Sequence, residues 1–440
     1  MGSFQNATIE SIAKASVITE LQTQTQREVL PSFSTISASP ETWAVAFAPD
    51  FSYFAWSCGN RVVKLVPWDK EKRTLANSVQ ADNNAHHGNP DQPPHDHSHS
   101  QPEILRKTVT INCKDLVWSL AFGWSVPEKK SQRSSHSYRL FGYLEQDDDL
   151  VLAIGLKSGH IKTYNVRKGE NLLLMDHRGL VRDIQFLPDG SLNLVSASQD
   201  GTLKIWDLKD DGNMVATLKG HPHGVQGCAI SPDASILASV GEQRSVIIWN
   251  LKTYKMLRKL QGHHNNVTSC EFSVDGACLA TASYDTRVIM WDPYTGEMLS
   301  QYSHIFPALS PIYAGGSNSH YIRDIAFSSD GLHFATVCDD NYVRVWLLED
   351  NSDPVLVSPL SDAISCSFSP DGSVLAAGTR KGSVQFIAIP RSVKSLKHLC
   401  RLAFRRSFPD STKLSRIALP NVLRAFISYR NLPTETWSED

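Results

Sequence analysis

A histidine, a serine and an aspartate occur together twice in this chain, as His177, Ser198 and Asp200 and again as His263, Ser283 and Asp285. These are the residue types of a serine hydrolase, in which the imidazole activates the hydroxyl and the carboxylate orients the ring. The repetition argues for another role. Each copy is followed by a tryptophan at the same spacing, Trp206 and Trp291. A catalytic constellation is a single assembly, whereas a set that recurs in register belongs to a structural repeat. A buried hydrogen-bonded network follows, whose loss would strand polar groups and cost stability. Outside these sets the chain shows no phosphate loop, metal constellation or nucleophile motif, so no enzymatic activity is expected.

Other reactive residue types lead to equally plain expectations. His86, His87, His95, His97 and His99 lie in a tract rich in Asp, Asn and Pro, a composition able to catch a divalent metal. No flanking strand or cysteine fixes a geometry there, so the expectation is a solvated, disordered loop with no metal or cofactor. The eight cysteines are scattered without a CxxC pair, as suits a reducing compartment. Formal net charge is -2, which offers no global basic field for nucleic acid or an anionic membrane. The first residues show no apolar stretch of the leader kind and no run is long enough to span a bilayer, so neither a leader nor a span is expected. The expected setting is intracellular, cytoplasmic and/or nuclear.

The elements that carry the recurring residues repeat as well. One unit runs from Asp176-His177 through Pro188-Asp189-Gly190 and Asp200 to Trp206-Asp207. A second runs from Gly220-His221 to Trp249-Asn250, and a third from Gly262-His263 through Asp275-Gly276 and Asp285 to Trp291-Asp292. Stretches such as Thr202–Trp206 and Val246–Trp249 are strand formers, and the Pro-Asp-Gly elements supply turn chemistry. The unit resembles the WD repeat, whose blades stack four short antiparallel strands. The resemblance implies an all-β WD40 β-propeller. It also implies a network of His177, Ser198, Asp200 and Trp206 in one blade and His263, Ser283, Asp285 and Trp291 in another.

Weaker units flank these. Ile322 to Trp346 is a fourth, with Asn318 at the histidine position. Ala363 to Ile387 is a fifth, with Lys381 at the aspartate position and Ile387 at the tryptophan position. Degenerate units precede them, one from Asp115 to Tyr164 and one from Trp43 to Val66. Seven blades are expected, with eight left open if a long insertion hides one. Glu28–Phe33 is a candidate outer strand to close the last blade. The organisation expected is an N-terminal tail over 1–27, a propeller over 28–390 with a disordered insertion near 70–112, and a distinct tail over 391–440. Further insertions are expected over Val126–Asp149 and Tyr302–His320. Propellers commonly bind at one ring face or the central channel, and cargo recognition is expected at the top-face loops and the residues before the degenerate strands.

After Pro390 the apolar period changes from two to that of a helix. Leu396, Leu399, Cys400, Ala403 and Phe404 fall on one stripe, with Ser395 placed to cap it. A second segment begins at Pro420, and Leu423, Phe426 and Ile427 repeat along it. Two short amphipathic helices need a partner for their apolar faces, either the propeller or another chain. The motif Ser-Leu-x-x-Leu-Cys-Arg-x-x-Phe-Arg resembles the BC box of SOCS-box proteins, and Leu-Pro-x-x-Leu-x-x-Phe-Ile resembles the Cullin box that follows it. That resemblance implies Elongin B/C contact through Leu396, Leu399, Cys400 and Phe404, and a Cullin box of Leu419, Pro420, Leu423, Phe426 and Ile427. Ala418 replaces the first proline of the usual Leu-Pro-Leu-Pro of the Cullin5 type, so Cullin5 is favoured over Cullin2 with that departure noted.

A propeller followed by a SOCS box resembles the WD-repeat and SOCS-box-containing family. It implies a substrate-recognition subunit of an Elongin B/C–Cullin–RING ubiquitin ligase. The competing reading is a WD-repeat scaffold with a self-packed helical tail and no ubiquitin role.

Overall fold

The computed structural model describes residues 17–22, 41–59, 61–68, 108–125, 149–304, 320–349, 353–390, 394–414 and 417–430. Among them the strands form seven antiparallel sheets of four strands each. Blade I comprises Val45–Phe47, Tyr53–Cys58, Val62–Pro67 and Val109–Asn112. Blade II comprises Val117–Trp124, Leu150–Leu156, His160–Asn165 and Asn171–Met175. Blades III, IV, V and VI begin with the innermost strands Val181–Phe186, Val225–Ile230, Val267–Phe272 and Ile322–Phe327. Blade VII contains Ala363–Phe368, Val374–Thr379 and Ser383–Ala388, and its outermost strand is Val17–Gln22 from the other end of the chain.

That pairing closes the ring, because the last blade takes its fourth strand from the segment that precedes the first. It also corrects an expectation. The closing strand is Val17–Gln22, not Glu28–Phe33, so it lies within the segment assigned as an N-terminal tail, and 28–33 falls outside the described residues. The insertion placed at 70–112 ends in a strand, Val109–Asn112, which pairs with Val62–Leu65 as the outer strand of blade I. The insertion placed at Tyr302–His320 begins later. Tyr302 is fully buried, and its hydroxyl donates to the Leu348 carbonyl at 2.9 Å. The histidine tract and most of the three insertions lie outside the described residues.

Burial explains the sequence pattern. The second strand of every blade is buried on both faces, as in Leu150–Leu156, Ile236–Gly241 and Val374–Thr379. The core is a series of apolar layers between neighbouring blades. Pro-Asp-Gly turns behave as expected: Gly190 and Gly372 take φ of 74° and 71°, which an L side chain adopts only with strain.

The free edge of the innermost strands faces the central channel, where backbone N–H groups lack ladder partners. Carboxylates from the adjacent blade accept them. Asp183 accepts from Cys228 N at 2.8 Å, Glu271 from Phe327 N at 2.6 Å and Asp324 from Cys366 N at 2.9 Å. Burial pushes these acids up, Asp183 to about 7, Asp324 to about 6 and Glu271 to about 8, despite the hydrogen bonds that favour their charge.

The blade topology sorts the loops to two ends of the ring. Turns between the first and second strands and between the third and fourth gather at one end, here called the lower. Connections between the second and third strands, and from one blade to the next, gather at the upper.

Candidate functional site

The recurring His-Asp sets lie at the upper end. In blade III, Trp206 Nε1 donates to Ser196 Oγ at 2.9 Å, Ser196 Oγ lies 2.7 Å from His177 Nε2, and His177 Nδ1 lies 2.8 Å from Asp200 Oδ2. The serine of the network is therefore Ser196, not Ser198. Ser198 donates to the Gly179 carbonyl at 3.0 Å and accepts from Asp200 N at 3.1 Å. Blade V repeats the correction. Trp291 Nε1 donates to Thr281 Oγ1 at 2.8 Å, which lies 2.7 Å from His263 Nε2, and His263 Nδ1 lies 2.9 Å from Asp285 Oδ2. Ser283 instead donates to the Asn265 carbonyl at 3.3 Å. The hydroxyl position is serine in one blade and threonine in the other, and both are fully buried under an indole. The arrangement saturates donors and acceptors and leaves no hydroxyl to attack a substrate.

Blade IV keeps the network with a substitution: His221 Nδ1 meets Ser245 Oγ at 3.0 Å where the others meet aspartate. Blade VI changes more. Its histidine is His304, from the end of blade V, rather than residue 318, which lies outside the described residues. His304 Nε2 lies 3.0 Å from Thr336 Oγ1, which accepts from Trp346 Nε1 at 2.9 Å. Arg344 Nη1 sits 3.2 Å from His304 Nδ1 and can only donate, so the ring proton is on Nε2. Burial and the neighbouring guanidinium hold the His304 imidazole well below its ordinary value. His304, Cys338 and Asp340 place ligand atoms within 4.8 Å of one another, the one such group of metal-ligand types among the described residues. Both ring nitrogens are already engaged, and Asp340 is ion-paired to Arg344 at 2.6 Å, so the cluster reads as a blade network.

The helical tail occupies the lower end. Helix α1 spans Leu396–Ser407, α2 Ser411–Leu414 and α3 Asn421–Ile427. Ser395 caps α1, its side chain accepting from His398 N at 3.1 Å. The face that packs on the propeller is not the apolar stripe. His398, Arg401, Leu402 and Arg405 are buried, whereas Leu396 is 77% and Leu399 44% exposed, Cys400 is exposed and Phe404 is half-buried.

Docking is polar and aromatic. Arg401 lies between the rings of Phe426 and Tyr429, 4.5 and 4.0 Å from their centroids, and pairs with Glu349 at 2.5 Å. Tyr429 Oη donates to Asp275 at 2.9 Å, Ser411 Oγ to Asp292 at 2.9 Å, and Arg430 pairs with Glu297 at 2.6 Å. The four carboxylates belong to lower-end turns of blades V and VI. Gly331, at φ 72°, sits in another such turn, where a Cβ would come within 3.1 Å of Leu402.

The Cullin-box residues divide. Phe426 and Ile427 are buried with Leu414 in a small core that half-buried Leu419 joins, so they build the tail itself. Pro420 and Leu423 face outward, together with Val422. Periodicity had put Leu423, Phe426 and Ile427 on one face, but α3 is seven residues long and its last turn folds under.

Comparison with known families bears on the same segments. The WD domain, G-beta repeat, matches residues 170–207, 212–250, 254–292, 311–346 and 355–387, and the SOCS box matches 392–428. The WD repeat and SOCS box-containing protein 1 of Homo sapiens is 51% identical over 391 residues, 89% of this chain and 91% of that protein. Its Danio rerio counterpart is 50% identical over 397 residues, 89% and 92% of the two chains. This chain belongs to the WD repeat and SOCS box-containing proteins. In this family member blades I and II lie ahead of the matched repeats and are recognised by their four-stranded pairing. Among the described residues no helix is long and apolar enough to cross a membrane.

Proposed function

We propose that this chain is the substrate-recognition subunit of an Elongin B/C–Cullin–RING ubiquitin ligase. The propeller holds a protein target and the SOCS box docks the ligase; the chain itself contributes no catalytic group. The observation that carries this reading is the orientation of α1. Its Arg401 side is fixed to the propeller through Glu349, while Leu396, Leu399 and Cys400 are exposed, with no surface among the described residues to bury them. Exposed leucines on a short helix need a partner. A self-packed scaffold tail would have turned that stripe inward.

Leu396 and Leu399 are the anchors toward Elongin C, with Cys400 beside them as a small apolar side chain and Phe404 at the margin. The Cullin surface is Pro420 and Leu423 with Leu419 behind them, and Cullin5 is its partner rather than Cullin2, although Ala418 departs from the usual motif. Pull-down of Elongin C by the full-length chain tests the reading. Leu396→Ala combined with Cys400→Ala should lower capture at least ten-fold with an unchanged unfolding temperature, since neither side chain is buried. Retained capture overturns the assignment. Pro420→Ala with Leu423→Ala should lower Cullin5 recovery while Elongin C stays bound, and recovery of Cullin2 alone would reassign the Cullin.

A further inference from the structure

Unlike Arg323 and Arg344, Arg182 has no carboxylate partner at the upper end among the described residues. It is the second residue of the innermost strand of blade III, and Trp118 holds the same place in blade II. The Arg182 guanidinium lies 4.7 Å over the Trp118 ring, and Trp118 stacks on Trp43 of blade I at 4.2 Å with 28° between planes. Three consecutive blades thus bring two indoles and a guanidinium into one stack at the upper mouth of the channel.

Among the described residues Arg182 makes no ion pair, and both its Nε and the Trp118 indole Nε1 are shielded from water without an acceptor. Arg323 fills the same place in blade VI and is fully satisfied. It grips Asp339 through Nε at 2.9 and 3.0 Å and lies over the Tyr284 and Tyr321 rings. Arg344 likewise has Asp340. Glu242 and Tyr284 are near enough to act on Arg182 electrostatically, but Glu242 accepts from Gln226 at 3.2 Å. Burial lowers the Arg182 pKa, and Tyr284 and Glu242 offset that only in part. A guanidinium backed by an indole, with no carboxylate partner among the described residues, keeps its charge for an acceptor from elsewhere. The tail occupies the opposite end of the ring, so it neither covers this mouth nor competes for it.

We propose that the upper channel mouth is the cargo site, and that Arg182 on its Trp118–Trp43 platform receives an anionic side chain of an extended peptide segment. The proposal rests on the receptor role above and adds the chemistry of the target. A guanidinium backed by an indole binds carboxylate or phosphate oxygens in a fork and leaves the indole edges for apolar neighbours. Carboxylate and phosphate are two sources of the same oxygen chemistry.

A displayed library of random peptides, offered to the full-length chain held in complex with Elongin B/C, tests it. One arm is used as prepared and the other is first phosphorylated by a broad-specificity kinase. The wild-type chain should enrich acidic residues at one position in the first arm, or phosphorylated residues in the second, and the responding arm names the source. Arg182→Gln should abolish the enrichment, Arg182→Glu should replace it with basic residues, and Arg178→Ala, an exposed cation at the same end, should leave it intact. Affinity for a selected peptide should fall at least ten-fold in Arg182→Gln and weaken with salt in the wild type. Absence of acidic or phosphate enrichment, or its survival in Arg182→Gln with an unchanged unfolding temperature, overturns the proposal. Elongin C remains on the same sample throughout, so its loss would instead fault the receptor reading.

Discussion

Ser196 and Ser198 leave the same face of one strand, two residues apart, yet only Ser196 reaches Trp206 and His177. The period of a strand cannot separate them, because i and i+2 are equivalent in direction and differ only in height along the blade. The same ambiguity joins Thr281 to Ser283. Histidine, aspartate and tryptophan were legible because their spacing repeats; the hydroxyl was not, because one blade uses serine and the other threonine. Ser196→Ala removes the group that both the indole N–H and the imidazole Nε2 engage in the core. It should cost about 2–3 kcal/mol, against about 1 kcal/mol for Ser198→Ala, which loses only bonds to local backbone. Urea denaturation of the two variants measures the difference, and equal losses would return Ser198 to the network.

At the scale of elements, the repeated blades and both tail helices were legible, and the closing strand was misplaced by register. Val17–Gln22 was in fact the better candidate on chemical grounds. It carries the β-branched Val17, Ile18 and Thr19, whereas Glu28–Phe33 contains Pro31, which has no N–H to give a ladder. The direction of α1 could not have been read from its apolar stripe. A stripe says that a face needs burial and not which chain buries it, and the propeller took the arginine face through the Arg401–Glu349 pair, with Tyr429 on Asp275 beside it. The closing strand makes a definite prediction. It pairs by backbone with Ser383–Ile387, so removing residues 1–24 exposes that sheet edge. The truncated chain should unfold at a temperature lower by several degrees and associate with itself. Calorimetry with light scattering checks both effects, and unchanged unfolding would show that the ring does not need this closure.

Across the whole molecule the SOCS-box helices pack on the lower end of the ring and the proposed cargo site lies at the upper, so the wall between them must hold its shape. Asp183, Glu271 and Asp324 tie adjacent innermost strands across that wall, and their shared role was not legible in sequence because only blades III and VI carry an acid at the third position of that strand, while blade V has Ser269 there and its carboxylate two residues later. Their acidity gives stability a pH dependence of definite sign. Each folded-state pKa is raised, to about 7, 8 and 6 respectively, above the ordinary carboxylate value. The folded state therefore holds protons that the unfolded chain releases. The stabilisation is fully present below the unfolded pKa near 4 and is lost progressively as pH rises through 6 to 8. Acid-labile pairs such as Asp285 with His263 work in the opposite sense, but their carboxylate pKa is lowered, so their loss falls below the ordinary carboxylate range. Glu271→Gln isolates the effect, because Oε2 accepts a single N–H, from Phe327, and an amide oxygen can take that bond. The variant should match wild type at pH 5 and exceed it at pH 8, by on the order of a few kcal/mol. Denaturant titrations at the two pH values decide the matter, and a variant that follows the wild-type slope would place the proton release at other groups.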